Sequence, residues 1–475
     1  MSFFTNLMVL QAPLLRKLHF STLARVRKTT VLSMLILIQQ LCFGFTADST
    51  TAKPQRQLNP KLFARPIVGS VTSTSAKVWI AYRGNGQNAL ILGDTAEHKV
   101  YYPTDVKYIA NSKGDVALTM EFTGLKPDHL YNILVSIEGW GTSTQASFRT
   151  QADTTIKDFN FVLGSCALMF PGVSRLVFPA ATPFIFKRMQ KKKADFMVWL
   201  GDDVYYMKNS YKNLDGMFKL NMRLRKSFPF YRDFLSSTPQ YAIWDDHDYG
   251  PNDSGREYAL KDSSLKVFKG MWPNTYPKGE EFKGNFFNFR YYDAEFFMTD
   301  DRYFRQIVGH DSTSPFLGET QLVWLKNKLL LSDATFKFIG VGSQVLNDNH
   351  FGESYTEYIQ ERNELLDFIS NNNIKGVIFL TGDKHFSELS KRDWKGYPMH
   401  DFTCSPLTTP PLPRRLLGAY TNHNRVPHSD YAKRNFGRIS FSGDKGNRSM
   451  KIEIIGRSGK TRRTIVLNEK EMRKK

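Results

Sequence analysis

The chain has little cysteine, no internal repeat and no low-complexity segment. Only 3 cysteines occur in 475 residues, too few for the disulfide framework that stabilises small secreted domains. Hydrophobic residues make up 41% and aromatic residues 14% of the composition, which excludes a disordered chain. What remains is a globular protein that is long enough for two or three domains and a large core.

The first 47 residues contain no acidic side chain. They carry five basic residues ahead of an apolar run at 31–45 and a small-residue pair, Thr46 and Ala47. This order is typical of a secretory signal, and the run is too short and too interrupted by Gln for a good membrane span. We predict a signal peptide over 1–47, either cleaved or retained as an anchor, and a secreted, periplasmic or cell-surface protein.

Positive charge exceeds negative charge over the sequence as a whole. The formal net charge is +20, and the five basic residues of the predicted signal leave +15 for the remainder. A basic chain favours anionic partners such as phosphate esters, nucleic acids or acidic surfaces. The basic residues are scattered, however, and no aromatic–basic nucleic-acid motif accompanies them. We therefore predict solvated basic faces, a basic tail from Arg457, no specific nucleic-acid binding and a monomer without membrane contact beyond an uncleaved signal.

Two domains are predicted after the signal. Residues 48–61 are polar and contain proline, as expected of a linker. Short strand-like segments with turn signals over 62–152 predict a small all-β sandwich, which we interpret as a packing or spacer module. Within it, TGLKPDHLYNILVSI (123–137) resembles the fibronectin type III arrangement, in which a Leu-x-Pro turn precedes a corner tyrosine, here Tyr131.

The remainder, 153–475, predicts a layered α/β domain, because apolar strands alternate with helical segments. The clearest helix begins at Gly318-Glu319-Thr320, and the chain ends in a hairpin-like pair of strands around 443–447. Four of the predicted strands end in residues that commonly bind metals. These residues are Cys166; Asp202, Asp203 and Tyr205; Asp245, Asp246, His247 and Asp248; and Asp383 and His385.

Crowded carboxylates raise one another's pKa. Bringing the carboxylates of these strand ends together therefore costs free energy unless a cation lies among them. One such strand end could be a simple turn, but four together favour a site, since α/β sheets build their sites at this edge. Carboxylate and Asn oxygens suit calcium, magnesium or iron. A histidine could be a ligand or a general acid, and Asp202 could bridge two ions. Tyr205 and Cys166 would need deprotonation, which a ferric ion could drive.

The motifs GSC, GDDVYY, WDDHDYGPND, DDRYFR, GETQLVWL and TGDKH resemble, in this order, the alkaline phosphatase D (PhoD-like) family of metallophosphoesterases. The resemblance implies an exported phosphomonoesterase and phosphodiesterase with a four-layer α/β/β/α core and an iron–calcium centre. It implies that Cys166 and Tyr205 bind Fe3+ and that Asp202 bridges this ion to Ca2+. It implies further ligands at Asp245 or Asp246, Asn252, Asp383 and His385. A Gly-Pro insert leaves open which of Asp245, Asp246 and Asp248 is the ligand.

Several assignments remain open at this point. We assign His247 a catalytic or metal-binding role, and Arg302 either grips a substrate phosphate or pairs with Asp300 and Asp301. Cys166 and Cys404 either form a bridge or leave Cys166 as a ligand. The proline-rich segment after Cys404 could line the substrate cleft or be a loop, and we expect the loop. Histidines without ligand-like neighbours are expected at the surface; they are His350, His400, His423 and His428. The alternative functions are a non-catalytic protein that binds a phosphorylated polymer, and a sulfatase or lactonase.

Overall fold

The structure is a computed structural model that describes residues 62–83, 88–94, 96–137, 141–171, 184–348, 353–413 and 421–474. The predicted signal, the predicted linker and His350 lie outside these residues. The described residues all belong to one compact unit. Across the described ranges, no helix combines the length and the apolar character that crossing a bilayer requires.

The N-terminal region is all-β, as predicted. Its strands are β1 (Ile67–Gly69), β2 (Ser75–Arg83), β3 (Asn88–Asp94), β4 (Lys99–Tyr101), β5 (Asp105–Ala110), β6 (Asp115–Thr123), β7 (Leu130–Ile137) and β8 (Gly141–Arg149). They form two 4-stranded sheets, ordered β1-β2-β6-β5 and β4-β3-β7-β8. Pairing within both sheets is antiparallel, which lets each strand alternate core-facing and solvent-facing residues.

Tyr131 occupies the position expected of a corner tyrosine. Its side chain is fully buried, and its hydroxyl accepts a hydrogen bond from the backbone N–H of Lys126 at 2.8 Å. The ring packs edge-on against Tyr101, with centroids 5.4 Å apart, and stacks on Phe148 at 5.8 Å. The hydroxyl therefore ties the turn that precedes β7 to the core of this region.

The C-terminal region contains two larger sheets. Its strands are β9 (Phe159–Gly164), β10 (Phe196–Leu200), β11 (Gln240–Ile243), β12 (Phe287–Tyr291), β13 (Ala294–Met298), β14 (Phe336–Val341), β15 (Val377–Thr381), β16 (Glu388–Trp394), β17 (Tyr397–Thr403), β18 (Asn435–Ser442), β19 (Ser449–Gly456) and β20 (Thr461–Asn468). The first 6-stranded sheet has the order β11-β10-β9-β18-β19-β20, and the second has the order β12-β13-β14-β15-β17-β16. Strands β9 to β11 are mutually parallel, as are β13, β14, β15 and β17.

Aromatic side chains fill the space between the two sheets. The Phe161 ring of β9 meets Phe296 of β13 at 5.1 Å and Phe338 of β14 at 5.6 Å, both edge-on. Because side chains alternate along a strand, Val162 points the other way, into the cluster that also contains the outer helices. Both faces of each sheet are thus covered, as the continuous apolar strands predict.

Helices cover the two outer faces. They are α1 (Phe184–Gln190), α2 (Leu214–Ser227), α3 (Pro229–Ser237), α4 (Asp246–Tyr249), α5 (Lys261–Met271), α6 (Glu319–Leu331) and α7 (Ile359–Asn371). Buried residues of α1, α2, α3 and α5 pack on the first sheet, whereas those of α6 and α7 pack on the second. The result is the predicted α/β/β/α architecture, and α6 begins where the Gly318-Glu319-Thr320 signal places it.

Two features of this region differ from the sequence predictions. The C-terminal strand pair β18–β19 is present, but β20 adds a third strand at the sheet edge. The strand begins with two threonines and two arginines that are mostly exposed, so its sequence lacks the apolar alternation of an ordinary strand, as is common for edge strands. His400 was expected at the surface, yet it lies buried in β17, between β15 and β16, where burial lowers its pKa to about 4. His423 and His428 are exposed, as expected.

We predict that Tyr131→Phe destabilises the protein, because the substitution leaves the Lys126 N–H without its acceptor. The loss should be about 1–2 kcal/mol in the free energy of unfolding, measured by urea denaturation. Tyr108→Phe is the matched control, since the Tyr108 residue is 51% exposed on β5. Equal unfolding midpoints for the two variants would contradict the structural role of the Tyr131 hydroxyl.

Candidate metal centre

The predicted ligands lie just beyond the strands, in turns with an unusual backbone. Four of these non-glycine residues have positive φ: Cys166 (59°), Asp202 (59°), Asp383 (64°) and His385 (58°). Such conformations cost on the order of 1–3 kcal/mol each and concentrate at functional sites. Asp383 and His385 follow β15 rather than belong to it, so these turns, and not the strand periodicity, set their direction.

A glycine allows two of the turns to meet. Gly201 has φ of 91°, and a Cβ at this position would lie 2.5 Å from the Cβ of Asp245. Any other residue would push the turn after β10 away from the turn after β11. Gly201 therefore lets Asp202 approach the Asp245–His247 cluster.

The centre of the site combines residues from these two turns. Asp202, Asp246 and His247 have potential ligand atoms that all lie within 4.8 Å of one another. The Tyr205 hydroxyl donates to Oδ2 of Asp202 at 2.9 Å, and its ring stacks on His247 with centroids 4.1 Å apart. Four of the predicted site residues are thus brought together.

Cys166 lies against the proline-rich segment that follows Cys404. Ser405 Oγ donates to the Cys166 sulfur at 3.1 Å. Thr409 Oγ1 contacts both the Cys166 carbonyl, at 2.7 Å, and the Tyr205 hydroxyl, at 3.2 Å. Residues 405–409 form neither helix nor strand, as expected of a loop, and these contacts place the loop beside the predicted ligands. Cys166 and Cys404 are both buried free thiols, so they form no bridge.

Asp383 and His385 reach the same region from β15. The Cys166 thiol donates to the Asp383 carbonyl at 3.5 Å, and the His385 N–H donates to Ser405 Oγ at 3.0 Å. The Asp383 carboxylate is partly exposed and lies 3.1 Å from the ammonium of Lys384. Burial lowers the pKa of His385, against the opposing effect of Asp383. A neutral imidazole of this kind can bind a metal.

A second acidic group adjoins the first. Asp246, Asp253 and Glu353 have ligand oxygens within 4.8 Å of one another, and the Asp253 N–H donates to Oδ2 of Asp246 at 2.8 Å. Asp253 and Glu353 were missed at the level of sequence. Asp253 closes the WDDHDYGPND motif, where it could have been considered, but Glu353 follows no predicted strand and has no acidic neighbour. Asn252, the predicted ligand, is exposed in the turn after α4.

Arg302 is a buried ion-pair partner, which corrects the suggestion that it grips a substrate. Its Nε donates to Oδ1 of Asp245 at 2.6 Å, and its Nη1 and Nη2 donate to Glu353 at 3.0 and 2.6 Å. The side chain is 0% exposed, so it presents no face to a ligand. Its main partners are Asp245 and Glu353; the nearest Asp301 oxygen lies 3.9 Å away.

The role of Asp248 is also settled by its contacts. Its Oδ1 accepts from the N–H of Val204 at 2.6 Å, and its Oδ2 accepts from the N–H of Asp245 at 3.2 Å. Both oxygens therefore accept hydrogen bonds from backbone N–H groups, as in a helix capping box. Of the three aspartates, Asp245 and Asp246 therefore remain as candidate ligands.

The electrostatics of the site fit a bound cation. Burial and the Asp246 and Asp245 carboxylates raise the pKa of Asp202 well above its usual range. Among the described residues, Oδ2 of Asp245 is buried without a hydrogen-bond partner. Burial, with Asp202 next in effect, also raises the pKa of the Cys166 thiol and of the Tyr205 hydroxyl. A cation would relieve all of these costs, because each group offers an anionic ligand.

An α/β/β/α core with aspartates and histidines at its strand ends is consistent with the core of a metallophosphoesterase. The chain belongs to the PhoD-like phosphatase family, whose family model matches residues 170–452. The structure of PhoD is 18% identical with a TM-score of 0.68, covering 87% of this chain and 92% of that chain. A purple acid phosphatase from yellow lupin (Lupinus luteus) seeds is 11% identical with a TM-score of 0.60, covering 85% and 74%. These structural similarities concern the fold; a search of curated proteins gave no match.

We predict that Arg302→Met destabilises the metal-free protein, because Asp245 and Glu353 would lose a buried counter-charge. The loss should be about 3–5 kcal/mol in urea denaturation after chelation. Arg256→Met is the control, because Arg256 forms an exposed pair with Glu257 at 3.6 Å and should cost little. If Arg302→Met kept wild-type stability and changed only the KM, a direct contact with substrate would be the better explanation.

Proposed function

We propose that the protein is an exported phosphatase that hydrolyses phosphomonoesters and phosphodiesters at a centre of ferric iron and calcium. The observation that carries this proposal is the convergence of Asp202, Asp246 and His247 within 4.8 Å, with Tyr205 and Cys166 beside them. Membership of the PhoD-like phosphatase family supports the reaction class, and the N-terminal signal-like segment supports export.

The choice of metals follows from the donor atoms. A thiolate and a phenolate suit a ferric ion, whereas zinc has little use for a phenol. We assign iron to the side of the site formed by Cys166 and Tyr205. The carboxylates of Asp246, Asp253 and Glu353 are hard oxygen ligands of the kind that calcium prefers, so we assign calcium to that side.

Asp202 lies between the two sides. Its Oδ2 accepts from Tyr205, while its Oδ1 lies 3.4 Å from the backbone N–H of His247. A carboxylate whose oxygens face different neighbours is suited to be shared between two ions. Bound ions would supply electrostatic stabilisation of the charge that develops on the transferred phosphoryl group.

Other residues of the site are assigned proton transfer or the positioning of ligand side chains. His247 is half-buried, and its ring is held against Tyr205; we assign it proton donation to the leaving oxygen of the ester. Arg302 fixes the direction of Asp245 and neutralises part of the acidic cluster. Ser405 and Thr409 hold Cys166 and Tyr205 in place through the contacts described above.

We expect Asp202→Asn to remove metal and activity together, since Asp202 is assigned to both ions. His385→Ala should behave similarly, because its imidazole lies at the same edge. Loss of two-metal stabilisation should lower kcat/KM for nitrophenyl phosphate monoesters and diesters by on the order of 10³-fold or more. His428→Ala is the control, since His428 is exposed, whereas His400 is buried and unsuitable. A folded Asp202→Asn variant with near-wild-type rates on both esters would refute this site.

We also expect purified protein to contain tightly held iron and readily removed calcium, and to be coloured by charge transfer from Tyr205. A mild calcium chelator should abolish hydrolysis reversibly while circular dichroism shows an intact fold, because oxygen ligands exchange readily. Metal analysis and the visible absorption spectrum measure both properties. A colourless, fully active enzyme that contains only zinc would overturn the metal assignment.

A further inference from the structure

A strongly basic groove lies beside the metal centre. Its volume is about 680 Å³, and it is bordered by five cationic residues: Arg188 of α1, Lys433 and Arg434 before β18, and Arg457 and Arg462 around the β19–β20 turn. None of the described residues that line it is acidic. These side chains are far apart in the sequence and meet only through the fold.

The groove opens at the same edge of the first sheet as the metal centre. Because β18 is antiparallel to β9, its first residue, Asn435, lies near the end of β9 and pairs with Gly456 at the end of β19. Pro411 lines the groove and is continuous with Thr409, which contacts Cys166 and Tyr205. The following N–H, of Leu412, donates to the His385 carbonyl at 3.0 Å. One short segment therefore forms a wall of both the groove and the centre.

The positive charge of the groove is not neutralised by nearby acids. Within the part of the chain that the structure describes, four of its cations form no ion pair: Arg188, Lys433, Arg457 and Arg462. Arg434 is held in place, with its Nε donating to the Thr408 carbonyl at 2.6 Å. Burial and the nearby Arg457 lower the pKa of Arg434, as expected where positive charges crowd together.

Another basic cleft of the protein provides a contrast. It lies at the opposite edge of the sheets, near the start of β14 and the end of β20, and it includes Lys470 and Arg473. Unlike the groove, it also contains acidic residues, Asp333 and Glu469. A general excess of surface lysine and arginine does not, therefore, account for a purely cationic lining next to the metal centre.

We infer that this groove is an anion subsite that binds the non-reacting phosphate groups of a small, multiply phosphorylated substrate. The inference rests on the proposed phosphatase function of the adjacent centre. The arginines offer paired donors that match phosphate oxygens. The volume falls within the range of about 300–1,000 Å³ that small-molecule sites occupy, which favours a compact ligand over a long polymer.

The test compares two substrates and two double variants. Arg457→Gln/Arg462→Gln removes two charges from the groove, and Lys470→Gln/Arg473→Gln removes two from the remote cleft. Rates of hydrolysis are measured for inositol hexakisphosphate and for 4-nitrophenyl phosphate. The quantity compared is kcat/KM for inositol hexakisphosphate divided by kcat/KM for 4-nitrophenyl phosphate. The groove variant should lower this ratio about tenfold, through the KM for inositol hexakisphosphate, because two charge-assisted contacts are lost. The remote variant should keep the wild-type ratio.

Binding of inositol hexakisphosphate, measured by calorimetry with the metal-loaded protein, separates this inference from the proposed function. If the wild type hydrolyses neither ester, the proposed function fails; weaker binding in the groove variant alone would still support the subsite. Equal effects of the two double variants on binding and on the ratio would overturn the subsite. The subsite would also be overturned by a groove variant that loses affinity for single-stranded DNA but not for inositol hexakisphosphate. That result would favour a nucleic-acid-binding surface.

Discussion

The structure depends on the burial of several carboxylates at one edge of two sheets. Asp202, Asp245 and Asp246 are each nearly or fully buried, and like charges this close are unfavourable without compensation. Arg302 supplies one buried positive charge, which is bound to Asp245 and Glu353. Oδ2 of Asp245 has no hydrogen-bond partner among the described residues, so this compensation is incomplete. The protein therefore keeps an arrangement that favours cation binding at the expense of its metal-free stability.

The strained backbone conformations at this edge are maintained by the rigid layers behind them. Residues with positive φ persist only where the surrounding structure fixes them, and here they follow strands that are buried on both faces. The stacked rings between the sheets, such as Phe161 against Phe196 at 5.1 Å, hold those strands. The β-sandwich adds to this support: Trp79 is fully buried in the same cluster as the outer helices, and its indole N–H donates to the Gly270 carbonyl at 2.8 Å. The sandwich thus packs against the core rather than acting as a spacer.

The sequence predicts those parts of the fold that depend on local pattern. The apolar strands and the helix at α6 follow from periodicity and from helix start signals, whereas the Leu-x-Pro turn before Tyr131 follows from the resemblance to the fibronectin type III arrangement. The clustering of strand-end residues also follows, since parallel strands end at one edge. Contacts between distant segments do not: Glu353 pairs with Arg302, and Ser405 contacts Cys166, without any local signal. His400 was misplaced for a similar reason, because the sequence of one strand does not reveal what packs over each of its faces.

The distribution of basic residues shows most clearly that the sequence does not reveal which distant segments come together. In the sequence the basic residues are scattered, and solvated faces are the simplest interpretation. In the fold, the antiparallel pairing of β18 and β19 brings Arg434 beside Arg457, whose N–H donates to the Arg434 carbonyl at 3.0 Å. An acidic centre suited to cations thus adjoins a groove that retains positive charge. The charges that line a cleft act on any ligand that enters it. The basic groove therefore favours anionic ligands, and the acidic strand ends favour cations. The net charge of a chain cannot indicate such a division; only the pairing of its strands can.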